Sequence, residues 1–234
     1  LTINRSTTSG AAPQVGTQLV VNNGGKLYVE SITLGTKEYK DTSQKSSTDK
    51  LASGSLPTTG YGAVDVASHA VAEVKKDVTV AADTTFDKTG SGAFTVLCTL
   101  KTEAATSGAN AGVFNVSGGS VDVNTVANAG TTTVASGAFF NVTGTGSANS
   151  GKISLLESGA KFEVQAGADL TNTGTIGGAK VENAYVGDVI VAGKLVNGGK
   201  GVIQTAKLNV NDGGYVSTQM TDASYAVGTT TVNK

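Results

Sequence analysis

The sequence predicts an all-β solenoid, a parallel β-helix of three-sided coils, and three observations point to it. The first is a recurring pattern: an apolar residue, two turn-forming residues, a Gly-Gly or Gly-Ala step, then apolar residues at alternate positions. It reads Val21-Asn22-Asn23-Gly24-Gly25-Lys26-Leu27-Tyr28-Val29 near the start. It returns as Val134-Ala135-Ser136-Gly137-Ala138-Phe139-Phe140-Asn141-Val142, as Leu156-Glu157-Ser158-Gly159-Ala160-Lys161-Phe162-Glu163-Val164 and as Val210-Asn211-Asp212-Gly213-Gly214-Tyr215-Val216-Ser217-Thr218. A unit that recurs in this way buries its apolar face by stacking on its own copies. The second observation is the spacing. Gly118 and Gly137 lie 19 residues apart, Gly137 and Gly159 22, and Gly193 and Gly213 20. Three short strands joined by tight corners consume about that many residues. The third is composition. Glycine supplies 32 of 234 residues, Thr and Val are plentiful, and helix formers are sparse.

Within each coil the strand period assigns the faces. Leu27 and Val29, Val121 and Val123, Phe140 and Val142, and Phe162 and Val164 should point inward and stack on their equivalents one coil away. Tyr28, Asp122, Asn141, Glu163 and Ser217 should face out. The corners fall at Gly24, Gly25, Gly118, Gly119, Gly137, Gly159, Gly213 and Gly214. Asn23, Ser136, Ser158 and Asp212 stand just before them, where a short polar side chain supports a turn.

Three segments follow along the chain. Residues 1–35 and 91–234 read as coils of one continuous solenoid, and residues 36–90 as an insertion or elaborated coil. Thr36 to Gly54 is a polar loop, and Leu56-Pro57-Thr58-Thr59-Gly60 a turn. Ala63 to Lys76 has helical composition, with Val66, Ala70, Val71 and Val74 spaced for one apolar face, and Val78-Thr79-Val80 returns to strand character. The fold expected is thus a β-helix with an irregular insertion containing a short helix. The chain starts and stops in what reads as mid-repeat, so we expect a piece of a longer polypeptide.

Hydrophobic residues at 38% exclude a disordered chain, and a net charge of −1 offers nothing to steer it to nucleic acid or an anionic membrane. No apolar stretch is long enough to insert as a helix. The single cysteine, Cys98, lies in the apolar run Phe94-Thr95-Val96-Leu97-Cys98 and should be buried.

Few residues could carry chemistry. Asp65, His69 and Glu73 fall at i, i+4 and i+8 of the expected helix and are the candidate metal ligands, but that spacing drifts around the helix and a solvated polar face opposite the apolar one explains them better, so no metal is expected. Gly146-Ser147-Ala148-Asn149-Ser150-Gly151-Lys152 imitates a phosphate-binding loop, but Ile153 stands where the magnesium-binding hydroxyl belongs. His69 is the only histidine, which leaves no ordinary catalytic triad. Carboxylates that stacking could pair are thin: Asp122, Glu157, Glu163 and Asp169. Gly198-Gly199-Lys200-Gly201 begins a calcium nonapeptide but lacks its Asp. No catalytic residue and no cofactor is expected. Tyr28, Phe139 and Tyr215 are the candidate binding residues, because exposed aromatics stack on sugars or partner proteins.

The run from Val21 to Val29 and its relatives resembles the passenger domains of Gram-negative autotransporters, above all the adhesin and self-associating branch. The resemblance covers residues 15–35 and roughly 90–220. It implies a right-handed parallel β-helix displayed outside the bacterial cell. The implied role is adhesion to a host-surface glycan or protein, with self-association as one alternative. A polysaccharide-degrading β-helix is the other, although the Asp, Lys and Arg clusters of such enzymes are not evident here.

Overall fold

A computed structural model of the chain describes residues 2–3, 17–34, 60–107, 109–219 and 224–233. They form a parallel β-helix with three faces, and no helix occurs among the described residues. Face 1 stacks Thr17–Val21, Gly60–Val66, Thr84–Thr89, Val113–Val116, Thr131–Val134, Lys152–Leu155 and Thr175–Gly177. It ends on the first halves of Val202–Val210 and Ser224–Val232. Face 2 runs from Lys26–Val29 through Val71–Val74, residues 93–96 and 120–123, Phe139–Val142, Lys161–Val164 and Asp188–Val191 to the second halves of the same two long strands. Face 3 runs from Thr2–Ile3 and Ile32–Leu34 through Val78–Val80 to Lys194–Gly198 and Tyr215–Gln219. Each face holds nine rungs, all paired in parallel.

Parallel stacking at one coil per repeat aligns like residues into columns. The inward position at the end of face 2 is valine on every rung, from Val29 through Val74, Val96, Val123, Val142, Val164, Val191 and Val210 to Val232. Between faces 1 and 2 the rings of Phe86, Phe94, Phe114, Phe140 and Phe162 follow one another at centroid separations of 5.6–6.5 Å. The inward pairs expected from strand parity are buried, with Leu27 and Val29 partly so near one end. β-branched side chains suit this lattice because their restricted χ1 matches a pleated surface packed on identical neighbours.

The corner pattern serves two corners. At Gly24, Gly137 and Gly159 it turns face 1 into face 2, whereas at Gly213 it turns face 2 into face 3. These four and Gly119 take φ between 63° and 89°. Gly25, Gly118 and Gly214 do not. Gly214 is required by close approach instead, since a Cβ there would lie 2.1 Å from the Val191 carbonyl oxygen.

The helix expected at Ala63 to Lys76 does not form. Gly60–Val66 and Val71–Val74 are strands on faces 1 and 2, and Val66-Ala67-Ser68-His69-Ala70-Val71 is a disguised copy of the corner in Val134-Ala135-Ser136-Gly137-Ala138-Phe139. His69 takes the place of the turn glycine, at φ 58°. Apolar residues at 66, 70, 71 and 74 fit a helical face, but they equally fit the ends of two strands across a sharp corner. Residues 60–90 therefore stack in register as ordinary coils. The polar loop expected at Thr36 to Gly54 lies outside the described residues. Cys98 is exposed, not buried. Leu97 and Cys98 together oppose the single residue Asn124, a β-bulge that breaks strand parity and turns both side chains outward. Asn141 faces outward as expected, yet only 8% of it is accessible.

The left-handed corner conformation costs a non-glycine residue about 1 kcal/mol. A methyl group added at Gly137 would meet open space, so backbone strain alone decides there. Gly137→Ala should lower unfolding stability by about 1 kcal/mol, and His69→Gly should hold or raise it by up to about 1 kcal/mol, both read from denaturant midpoints at unchanged slope.

Candidate functional site

The residues singled out from sequence are not gathered into one site. Asp65 lies on face 1, where it accepts a hydrogen bond from Thr89 Oγ1 at 3.0 Å; His69 is exposed at the corner and Glu73 sits on face 2. No group of three or more His, Cys, Asp or Glu that could hold a metal occurs among the described residues. Tyr28 and Phe139 both face out from face 2 but stand four rungs apart, about 19 Å at the usual strand spacing. Tyr215 belongs to face 3. Each is an isolated exposed aromatic, and Phe139 is covered by Lys161, whose Nζ lies 4.9 Å from the ring centroid.

The phosphate-loop mimic is a corner followed by a rung. Gly146 turns at φ 79° and its N–H donates to Asp169 Oδ1 at 2.7 Å, while Ser147–Asn149 pairs on face 3. Of the four thinly spread carboxylates, Asp122 and Glu163 share an outward column of face 2, with Asn141 on the rung between.

Two buried polar features escape the sequence reading. The first is a ladder of asparagines inside the corner between face 3 and the next coil. Asn128, Asn149, Asn172 and Asn197 are at most 2% exposed. The Asn128 amide donates to Asn149 Oδ1 at 2.6 Å, Asn149 to Asn172 at 2.7 Å, and Asn172 to Asn197 at 2.7 Å. Thr102 Oγ1 caps the ladder by donating to Asn128 Oδ1. Each amide spends its second hydrogen on a carbonyl of the following coil: Lys152, Thr175 and Val202 for the first three. A signal does exist, because Asn-x-Gly recurs at Asn128, Asn149 and Asn172.

The second is Lys88, which stands in an inward column of face 1 between Val64 and Val116 and is 0% exposed. Its ammonium donates to the carbonyls of Gly90 at 2.8 Å, Gly92 at 2.6 Å and Gly118 at 2.6 Å, so all three of its hydrogens are placed. Burial pulls its pKa down to about 8, and the nearby Asp65 charge opposes that shift. The lysine thus ties two successive corners together in place of a hydrophobe.

The outer surface is shallow. A groove of about 300 Å³ on face 3 is floored by Ala127 and Ala148 and rimmed by Lys101 and Glu103. A two-stranded antiparallel hairpin, Lys180–Val181 and Ala184–Tyr185, interrupts the seventh coil, with Lys180 Nζ 4.4 Å over the Tyr185 ring. On face 1, Asn115 Nδ2 donates to Asp87 and Thr133 Oγ1 to Asn115, an outward polar ladder across three coils.

No known family model matches the chain, and no curated protein matches it significantly. Among solved structures, the chain is similar to a TibC-catalysed hyper-glycosylated TibA fragment. The two are 19% identical over 100% of this chain and 82% of that one, with a TM-score of 0.20, too loose a superposition to support a functional comparison.

Removing one amide from the buried ladder strands a donor on one side and an acceptor on the other. Asn149→Ala should therefore cost about 2–4 kcal/mol, against less than about 0.5 kcal/mol for the exposed Asn233→Ala, both measured by chemical denaturation.

Proposed function

We propose that the chain is part of a secreted bacterial β-helix displayed on a Gram-negative cell surface, acting as a rigid stalk and adhesive face without catalysing a reaction. The observation that carries this reading is the unbroken register of nine rungs on each face. It repeats outward positions every ~4.8 Å and lets many weak contacts act together. The likeness of the corner motif to autotransporter passengers supports the same reading. The partner class is a glycan or protein of a host surface. The hairpin Lys180–Tyr185 is the described element that departs furthest from the repeat, and departures of this kind concentrate specific contacts.

Self-association is the second reading, favoured by the outward polar ladder of Asp87, Asn115 and Thr133, a surface repeated at the rung spacing that a second copy would present in the same period. The purified chain, coupled to beads, should bind at least one member of a glycan array or a host-cell surface, and should sediment as a monomer at all concentrations. Absence of binding together with concentration-dependent association would replace adhesion with self-association. Sugar release from a panel of polyuronates would overturn the non-catalytic reading.

A further inference from the structure

We propose that face 2 carries a calcium site, centred on Asn141 between Asp122 and Glu163. The three residues occupy one outward column on successive rungs. Asn141 is more than nine-tenths buried, and its Nδ2 donates to Asp122 Oδ1 at 2.7 Å. The other edge of that amide carries Oδ1. It is buried and meets no donor, alone in this respect among side-chain polar atoms of the described residues.

The cause lies in the chemistry of the column. An amide offers donors on one edge and an acceptor on the other, whereas an ionised carboxylate only accepts. In an acid–amide–acid column one junction must therefore set oxygen against oxygen. Flipping Asn141 moves the mismatch to Asp122 and does not remove it. The buried ladder on face 3 has no such conflict, because amide follows amide and every junction pairs a donor with an acceptor.

The mismatch calls for positive charge, and no neighbouring side chain provides it. Lys161, the cation on the adjacent outward position of the Glu163 strand, lies over the Phe139 ring. Neither Asp122 nor Glu163 enters an ion pair among the described residues. The donors on offer are an amide oxygen and carboxylate oxygens, with no nitrogen or sulfur, and such a set selects a hard cation. Calcium tolerates an irregular, water-completed shell better than magnesium, and a site with so few protein ligands falls in the weak range of extracellular modules, a dissociation constant on the order of 10⁻⁴–10⁻³ M.

The test compares thermal unfolding of the purified chain in EDTA, in millimolar calcium and in millimolar magnesium. Alongside it, the Asn141 side-chain amide resonances are followed by NMR. Calcium should raise the midpoint by about 3 °C and shift those resonances, and magnesium should do less. Glu163→Gln replaces an acceptor-only carboxylate in the column with an amide able to donate to Asn141 Oδ1. This variant should melt at or above the wild-type midpoint in EDTA and lose the calcium response. The proposal is overturned if calcium moves neither the wild-type midpoint nor the Asn141 resonances, or if Glu163→Gln keeps the full response.

Discussion

Every coil in this chain obtains its backbone hydrogen bonds from the coils above and below it, and from almost nowhere else. A single turn has no partner for its peptide groups and no second layer for its side chains, so neither the bonding nor the core exists until coils are stacked. In-register parallel pairing then places each residue ~4.8 Å from its counterpart one coil away. Every position along the coil becomes a column, and each column must be filled with residues that tolerate themselves as neighbours. Valine does so through its stiff, compact side chain, phenylalanine through tilted ring contacts, and asparagine through amide-to-amide hydrogen bonds.

That rule also shows how polar groups enter the core at low cost. A lone buried amide would lose more than it gains. Stacked asparagines satisfy one another along the column and use their remaining hydrogens on corner carbonyls. Lys88 solves a similar problem at the opposite corner, where three carbonyls converge on one ammonium. Both devices fix the corners, which are the points where the chain leaves one face and where glycine alone gives little rigidity. The column of Asp122, Asn141 and Glu163 is subject to the same rule and fails it, because an amide cannot donate along both edges to two acceptor-only carboxylates.

How much of this is legible in the sequence follows from what pattern reading detects. Strand parity is local, so the inward placement of Phe140 and Val142, or Phe162 and Val164, can be read directly. Corner glycines are legible where Gly is present. His69 removes that signal at one corner, and the apolar positions around it then match a helix as well as two strands. Cys98 departs from its expected place because a bulge changes parity without leaving a mark in composition. The asparagine ladder is hidden for a different reason. Asn before Gly is a common turn signature, and only the separations of 21, 23 and 25 residues along one column distinguish a stacked core amide from a surface turn. Candidate site residues are picked from a sequence one at a time, by chemical type. The structure spreads them over separate faces and corners, and the column of Asp122, Asn141 and Glu163 becomes visible only once the register is known.

Register is therefore the claim on which all else rests, and cysteine cross-linking measures it. Lys161 and Asp188 are partners on adjacent rungs of face 2, although they lie 27 positions apart in sequence with the hairpin between them. Adjacent rungs bring Cα atoms within the span a disulfide bridges. In a Cys98→Ser background, Lys161→Cys with Asp188→Cys should oxidise to near-complete cross-linking, whereas Lys161→Cys with Val189→Cys, one residue out of step and pointing inward, should not. Equal yields for the two pairs, or no cross-link in the first, would contradict the stacked register.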